Sequence, residues 1–228
     1  MKKVCFVNGS PRGENSASQY FISEMGRWLD KNKAEVEEVC IVTALKKGTP
    51  AEEFDKLLDA DSIVFVFPLY IDSIPSSMLD FLDRLADYRK NEKQDLAGAR
   101  KASDVYAVIN CGFVEGHQNI NAMQIMQHFS TALRLNWRFG VGIGAGEFMR
   151  ESQAMPMESK IKRKVYEGII QLIQDIEGSE VILKKNIFTN PQMPKALFML
   201  AGSWHWRSMA GKNKLKRKML YARPLLQE

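Results

Sequence analysis

The sequence predicts an α/β fold: a doubly wound parallel sheet of five strands, order 2-1-3-4-5, with a C-terminal extension. Three observations predict it. Short apolar runs at Val4–Val7, Ser62–Phe67, Val105–Ile109 and Phe139–Ile143 alternate with stretches whose apolar residues recur at helical spacing. Continuous apolar strands of this kind are buried on both faces, as in parallel sheets covered by helices. Polar, turn-rich loops follow strands one, three and four, at the edge where this strand order opens its ligand crevice.

Taken in order, strand one spans Val4–Val7 and stops at Asn8-Gly9-Ser10-Pro11-Arg12-Gly13. Asn15, Ser16 and Ser18 are helix-capping residues, and Tyr20, Phe21, Met25, Trp28 and Leu29 mark the first helix. Glu35–Val42 reads as strand two, with Val36, Val39 and Ile41 as its apolar positions. A short helix over 51–59 presents Phe54, Leu57 and Leu58. Strand three ends in Pro68–Pro75, a loop between two prolines, before a helix carrying Met78, Phe81, Leu82 and Leu85. Strand four ends at Asn110-Cys111-Gly112-Phe113, and its helix carries Met123, Met126, Phe129 and Leu133. Strand five, Phe139–Ile143, leads to a last helix with Ile161, Val165, Ile169, Ile173 and Ile176.

The spacing predicts a sheet domain over residues 1–180 and an extension over 181–228. In the extension, Asn190, Pro191 and Pro194 interrupt the pattern, and an aromatic stretch, Ala196–Trp206, precedes the basic run Lys212–Lys218. A chain of 228 residues with 45% apolar and 26% charged residues is ordinary for a soluble domain with an appendage. The net charge of +5 is uneven: from Lys184 onward ten Lys and Arg face Glu228 alone. That part carries +9, and residues 1–183 carry −4. No charged-then-apolar leader opens the chain and no run of about 18 apolar residues is present, so a cytoplasmic location is expected. Cys5, Cys40 and Cys111 are odd in number with no CxxC pair, and the histidines lack ligand spacing, so neither disulfides nor a metal site are expected.

The first loop can be read from its residues alone. A strand, a polar turn and a helix start aim free backbone N–H groups and the positive end of a helix at one spot. Ser10, Asn15 and Ser16 add donors, and Arg12 brings a bidentate fork suited to an anion. Two readings stay open: a phosphate site, or a turn that caps its own helix. The position of this loop at the switch point favours the phosphate.

At this point the motifs resemble a family. Gly9-Ser10-Pro11-Arg12 with Asn15-Ser16 is similar to the first loop of flavodoxin-like, NAD(P)H-dependent FMN reductases. Pro68-x-Tyr70 with Pro75-x-x-Met78-x-x-Phe81-Leu82-Asp83-Arg84 resembles their second motif, with Met78 and Leu79 where the family often has Leu and Lys. Asn110-Cys111-Gly112-Phe113-x-Glu115 resembles the third loop of a branch that often carries a basic tail. The resemblance implies FMN as cofactor and NAD(P)H as co-substrate. It assigns the phosphate to Ser10, Arg12, Asn15, Ser16 and Ala17, the isoalloxazine wall to Pro68, Leu69, Tyr70 and Ile71, and the ring's far edge to Asn110, Cys111, Gly112 and Phe113. It also implies a homodimer, a small acceptor such as a flavin or quinone, and no catalytic side chain, because nicotinamide stacks directly on the flavin. An FMN-binding electron carrier or redox sensor is the alternative expectation.

Other features carry less. Cys111 reads as a small buried hydrophobe before it reads as a reactive thiol, and His117 as an exposed loop residue. Gly140-x-Gly142-x-x-Ala145 imitates a dinucleotide fingerprint but lies in strand five, so its glycines are expected to admit a neighbour's close approach, and the loop Gly144–Met149 is expected to border the nicotinamide entry. Gly211-Lys212-Asn213 lacks the upstream glycine of a P-loop. The extension is expected to pack through Phe198, Trp204 and Trp206 with a solvated basic end. An anionic membrane surface is the minority expectation, and nucleic acid is not expected.

Overall fold

The computed structural model describes residues 1–48, 50–95, 102–178 and 185–222. The expected boundary at 180–181, together with Lys184, Arg223 and Glu228 of the basic count, lies outside them. Six parallel strands form the sheet: β1 (Lys2–Asn8), β2 (Ala34–Cys40), β3 (Ser62–Pro68), β4 (Asp104–Asn110), β5 (Asn136–Ile143) and β6 (Ile187–Thr189), in the order β2-β1-β3-β4-β5-β6. The five expected strands are present in the expected order. The sixth, three residues long, pairs Val141–Ile143 with Ile187–Thr189 and comes from a stretch the sequence reading assigned to the extension.

The alternation of each central strand builds two cores. Cys5, Val7, Ile63, Phe65, Phe67, Val105, Ala107 and Ile109 face one side, beneath α3 (Ala51–Asp59), α4 (Ser76–Asp95) and α5 (Ile120–Ala132). Val4, Phe6, Val64, Val66, Tyr106 and Val108 face the other, beneath α1 (Ala17–Trp28) and α7 (Arg163–Ile176). Both faces are dry, which is why these strands read as unbroken apolar runs. Each fully buried Leu or Phe contributes about 1.5–3 kcal/mol. On β5 the first core is met by glycine. A Cβ at Gly140 would lie 2.0 Å from Met123 Sδ, and one at Gly142 would lie 2.7 Å from Phe188 Cδ1. The fingerprint-like glycines are therefore packing residues.

Strand two departs from its expected span. It ends at Cys40, and Ile41 opens a short helix, α2 (Ile41–Lys46), whose Ile41 and Ala44 are buried in the first core. β2 is a sheet edge with Val36 exposed, so its alternation marks a solvent-facing strand. The last helix begins at Arg163, leaving Ile161 in the preceding turn. A further helix, α6 (Gly146–Glu151), follows β5 where the sequence reads as loop.

The chain divides into two units, Met1–Pro191 and Gln192–Glu228. The second contains α8 (Lys195–Lys212), after which Lys214 takes a left-handed conformation and Leu215 N donates to Ala210 O at 2.8 Å.

One buried polar cluster ties α7 to the sheet. Asp175 accepts from Arg138 Nε (2.8 Å) and Nη2 (2.7 Å) and from the Tyr106 hydroxyl (2.7 Å). Burial raises its pKa, but the bonds from Arg138 and Tyr106 outweigh this and hold the carboxyl below its usual range. Because the folded-state pKa is depressed, this stabilisation is present above the ordinary aspartate pKa and is lost as pH falls through the folded value. Asp175→Asn is expected to cost about 3 kcal/mol at pH 7, with the difference from wild type shrinking in acid below the ordinary aspartate pKa. Urea unfolding at the two pH values checks this.

Candidate functional site

The carboxyl ends of β1, β3 and β4 open on one cavity of about 160 Å³. Its lining comes from the first loop and the start of α1 (Ser10, Arg12, Ser16, Ala17, Ser18), from Pro68, Leu69 and Tyr70, from Asn110, Cys111 and Gly112, and from Glu147 of α6. Ten of the thirteen residues expected from the sequence thus meet at one place. The other three do not line it. Asn15 is exposed and borders a neighbouring groove with Glu14, Gln19 and Arg150. Ile71 is 100% exposed and Phe113 is 55% exposed.

The first loop holds its shape through Asn8, the last residue of β1. Asn8 Oδ1 accepts from Ser10 N at 3.0 Å, while Nδ2 donates to Gly13 O (3.2 Å) and Gln19 Oε1 (2.6 Å). Gly13 has φ +54°, and at Gly9 a Cβ would sit 2.8 Å from Met78 Sδ and 3.0 Å from Phe67 Cβ, so both glycines are required. Ser16 caps α1 by accepting from Gln19 N at 3.1 Å. That accounts for one donor of the first turn. The amides of Ala17 and Ser18 have no intrahelical carbonyl to bond, and both residues line the cavity. The turn both caps its helix and keeps donors for an anion.

The second loop is a tight hairpin. Tyr70 and Ser73 exchange two backbone bonds of 2.9 Å, and Ile71 (φ 47°) and Asp72 (φ 56°) between them are both left-handed. A β-branched residue is rarely found there and costs roughly 1–2 kcal/mol. This conformation turns Ile71 out to solvent and leaves Tyr70 to form the wall.

The third loop is fixed by Asn110, which donates from Nδ2 to Phe67 O (3.1 Å) and Ser18 Oγ (3.3 Å). Cys111 is buried, and its thiol lies against the carbonyls of Phe113 (3.8 Å) and Glu115 (3.7 Å). Burial pushes its pKa up despite the hydrogen bonds around it, which disfavours the reactive thiolate. His117 is exposed, with its ring edge-on to Phe188 at 5.0 Å.

Two lining residues lie outside the thirteen: Ser18, read only as a helix-capping residue, and Glu147, read only as part of the loop Gly144–Met149. Glu147 arrives because Ala145 is left-handed and because a Cβ at Gly146 would sit 2.7 Å from Asn110 Oδ1, so α6 starts hard against the end of β4. Beneath α6, the fully buried Lys162 donates to Ser152 O (2.7 Å), Met155 O (3.1 Å) and Met149 O (3.4 Å), and to the Tyr20 hydroxyl (3.3 Å). Burial lowers its pKa. Glu147 pairs with Arg12 Nη1 at 3.3 Å and with Arg150 of its own helix. Partial burial pushes its carboxyl up, but the bonds from Arg150 and Arg12 bring it below the usual range.

Donors, a guanidinium and an apolar wall in one crevice suit a flat aromatic ring carrying a phosphate. A family model described as a flavodoxin-like fold matches residues 2–135. Similar solved structures include the NAD(P)H:quinone oxidoreductase from Methanothermobacter marburgensis, with TM-score 0.53, 12% identity, and 80% of this chain and 98% of that one covered. Another is an FMN-dependent NADH-azoreductase from Bacillus anthracis in complex with FMN, with TM-score 0.50, 11% identity, and 77% and 99% covered. The apo form of an NADH:FMN oxidoreductase gives TM-score 0.52 and 15% identity, with 80% and 92% covered. At such identities the likeness concerns the fold alone. No curated protein matches the sequence. Matched by the family model over more than half its length, the chain belongs to the flavodoxin-like fold family.

Proposed function

We propose that the chain is an FMN-dependent NAD(P)H oxidoreductase that reduces a small electron-poor acceptor such as a flavin or quinone. The observation that carries this is the cavity itself: helix-start amides and Arg12 at one end, and Pro68, Leu69 and Tyr70 along a wall, at the topological switch point. The names borne by the similar structures point the same way.

In this reading Ser10, Arg12, Ser16 and the amides of Ala17 and Ser18 bind the phosphate. Pro68, Leu69 and Tyr70 orient the ring and exclude water from one side, and Asn110, Cys111 and Gly112 border its other edge. When bound, FMN supplies the hydride chemistry, and no side chain of the cavity is assigned as acid or base. The exposed Tyr70, Ile71 and Phe113 leave an apolar rim at the mouth, which a second copy of the chain would cover. A homodimer is therefore part of the proposal, and sedimentation is expected to give twice the 26.0 kDa of one chain.

The direct test is spectroscopic. FMN-loaded protein mixed anaerobically with NADH or NADPH is expected to bleach rapidly at the flavin band. FMN binding without bleaching would make the protein an electron carrier. The double variant Ser10→Ala with Arg12→Ala is expected to lose ten- to a hundredfold in FMN affinity, about 1.5–3 kcal/mol, the size of a lost charge-assisted bond. Unchanged affinity in a fluorescence titration overturns the phosphate assignment.

A second reading concerns the C-terminal unit. Trp204 and Trp206 are 72% and 71% exposed, Leu200 and Met199 are exposed too, and residues 192–222 contain seven Lys and Arg with no acid. No helix among the described residues is long and apolar enough to cross a membrane. Exposed indoles beside a run of cations such as Lys212–Lys218 fit the headgroup layer of an anionic bilayer, where each cation near the surface contributes about 1 kcal/mol. The protein is expected to sediment with phosphatidylserine vesicles at low salt and to be released at high salt. Loss of pelleting in a Lys212→Glu, Lys214→Glu, Lys216→Glu variant is expected, and no pelleting by wild type rejects the reading.

A further inference from the structure

Glu147 is out of place in a cavity meant for a phosphate. Among the residues lining it, this is the one carboxylate, and it is bonded to the one lining guanidinium, Arg12. We propose that Glu147 is a specificity-determining residue: an internal counter-anion that occupies Arg12 until a ligand's phosphate displaces it, narrowing the preference for phosphorylated over unphosphorylated flavin. The inference rests on the FMN reading given above.

The arrangement has three parts. The first is anchorage. Glu147 is fixed from its own side by Arg150, whose Nε donates to Oε1 at 3.1 Å, and α6 beneath it is secured by Gly146 against Asn110 and by the buried Lys162. The carboxylate therefore has a resting partner whether or not Arg12 is present. The second is weakness. Arg12 reaches Glu147 through one contact of 3.3 Å, and their side chains are 49% and 43% exposed. A pair so open to solvent is worth little and opens readily. The third is charge. With Glu147 ionised, Arg12, Glu147 and Arg150 sum to a single positive charge where a phosphate carries nearly two negative ones. Neutralising Glu147 leaves two positive charges and frees the guanidinium for a bidentate grip.

An alternative role gives the opposite result. A carboxylate beside the ribityl chain could accept hydroxyl bonds, and its removal would then weaken every flavin alike. The two roles separate when FMN and riboflavin are compared, since they differ only in the phosphate.

The experiment titrates FMN and riboflavin, followed by flavin fluorescence, into wild type, Glu147→Gln, Arg12→Ala and the double variant. Glu147→Gln is expected to tighten FMN about tenfold and leave riboflavin unchanged, with the gain shrinking when Arg12 is absent. Circular dichroism and thermal unfolding check that each variant is folded. Unchanged FMN affinity, equal weakening of both flavins, or a full gain without Arg12 each overturns the inference while leaving the FMN reading intact. Wild-type protein that binds neither flavin overturns that reading, and the inference with it.

Discussion

Two asparagines at the ends of the two parallel strands that flank β3 set the geometry on which everything else depends. Asn8 ends β1 and Asn110 ends β4, and both are buried. Each finishes its strand by turning its amide onto the loops, so that the backbone groups released at the sheet edge are met by side chains. Asn8 fixes the first loop through Ser10, Gly13 and Gln19. Asn110 joins the end of β3 to the first turn of α1 through Phe67 O and Ser18 Oγ. A buried amide left without partners is costly, so neither loop can drift without losing several bonds together. The cavity is open because its walls are held from behind.

Most of this architecture is legible in the sequence because its strands are buried on both faces. Runs such as Ser62–Phe67 have no competing reading once helical stretches flank them. The failures are local and have physical causes. β6 has three residues, too few for any period to show, and it gains its place from pairing with β5. Strand two is an edge, where alternation tells less about where a strand stops, and Ile41 passed into α2. α6 is six residues long, begins at a left-handed alanine and has no capping side chain.

The site divides in the same way. Loops that directly follow strands were found, because strand ends are visible. The loop of Glu147 is expected at the entry, but its carboxylate's contact with Arg12 is invisible in the sequence because the two lie 135 positions apart. The helix start itself is hinted at only by Gly144-Ala145-Gly146, small residues that let α6 begin against Asn110, and a short glycine-rich link by itself has many explanations. Position in the chain alone places Ile71 and Phe113 inward. A left-handed turn sends the first outward, and the second is left more than half exposed.

Gly116 of the third loop and Gly144 after β5 have a further consequence. A Cβ at Gly116 would come within 2.2 Å of Thr189 O, and one at Gly144 within 2.0 Å of Val114 O. Thr189 O also accepts from Gly144 N at 2.9 Å. Backbone is thus riveted to backbone where β5, β6 and the third loop meet, with no flexible side chain between to absorb a displacement. Adaptation to ligands of different shape would then come from the opposite bank of the crevice, from the left-handed Tyr70–Ser73 hairpin and the half-exposed guanidinium of Arg12. The crevice would vary its guests with one jaw while the other stays fixed.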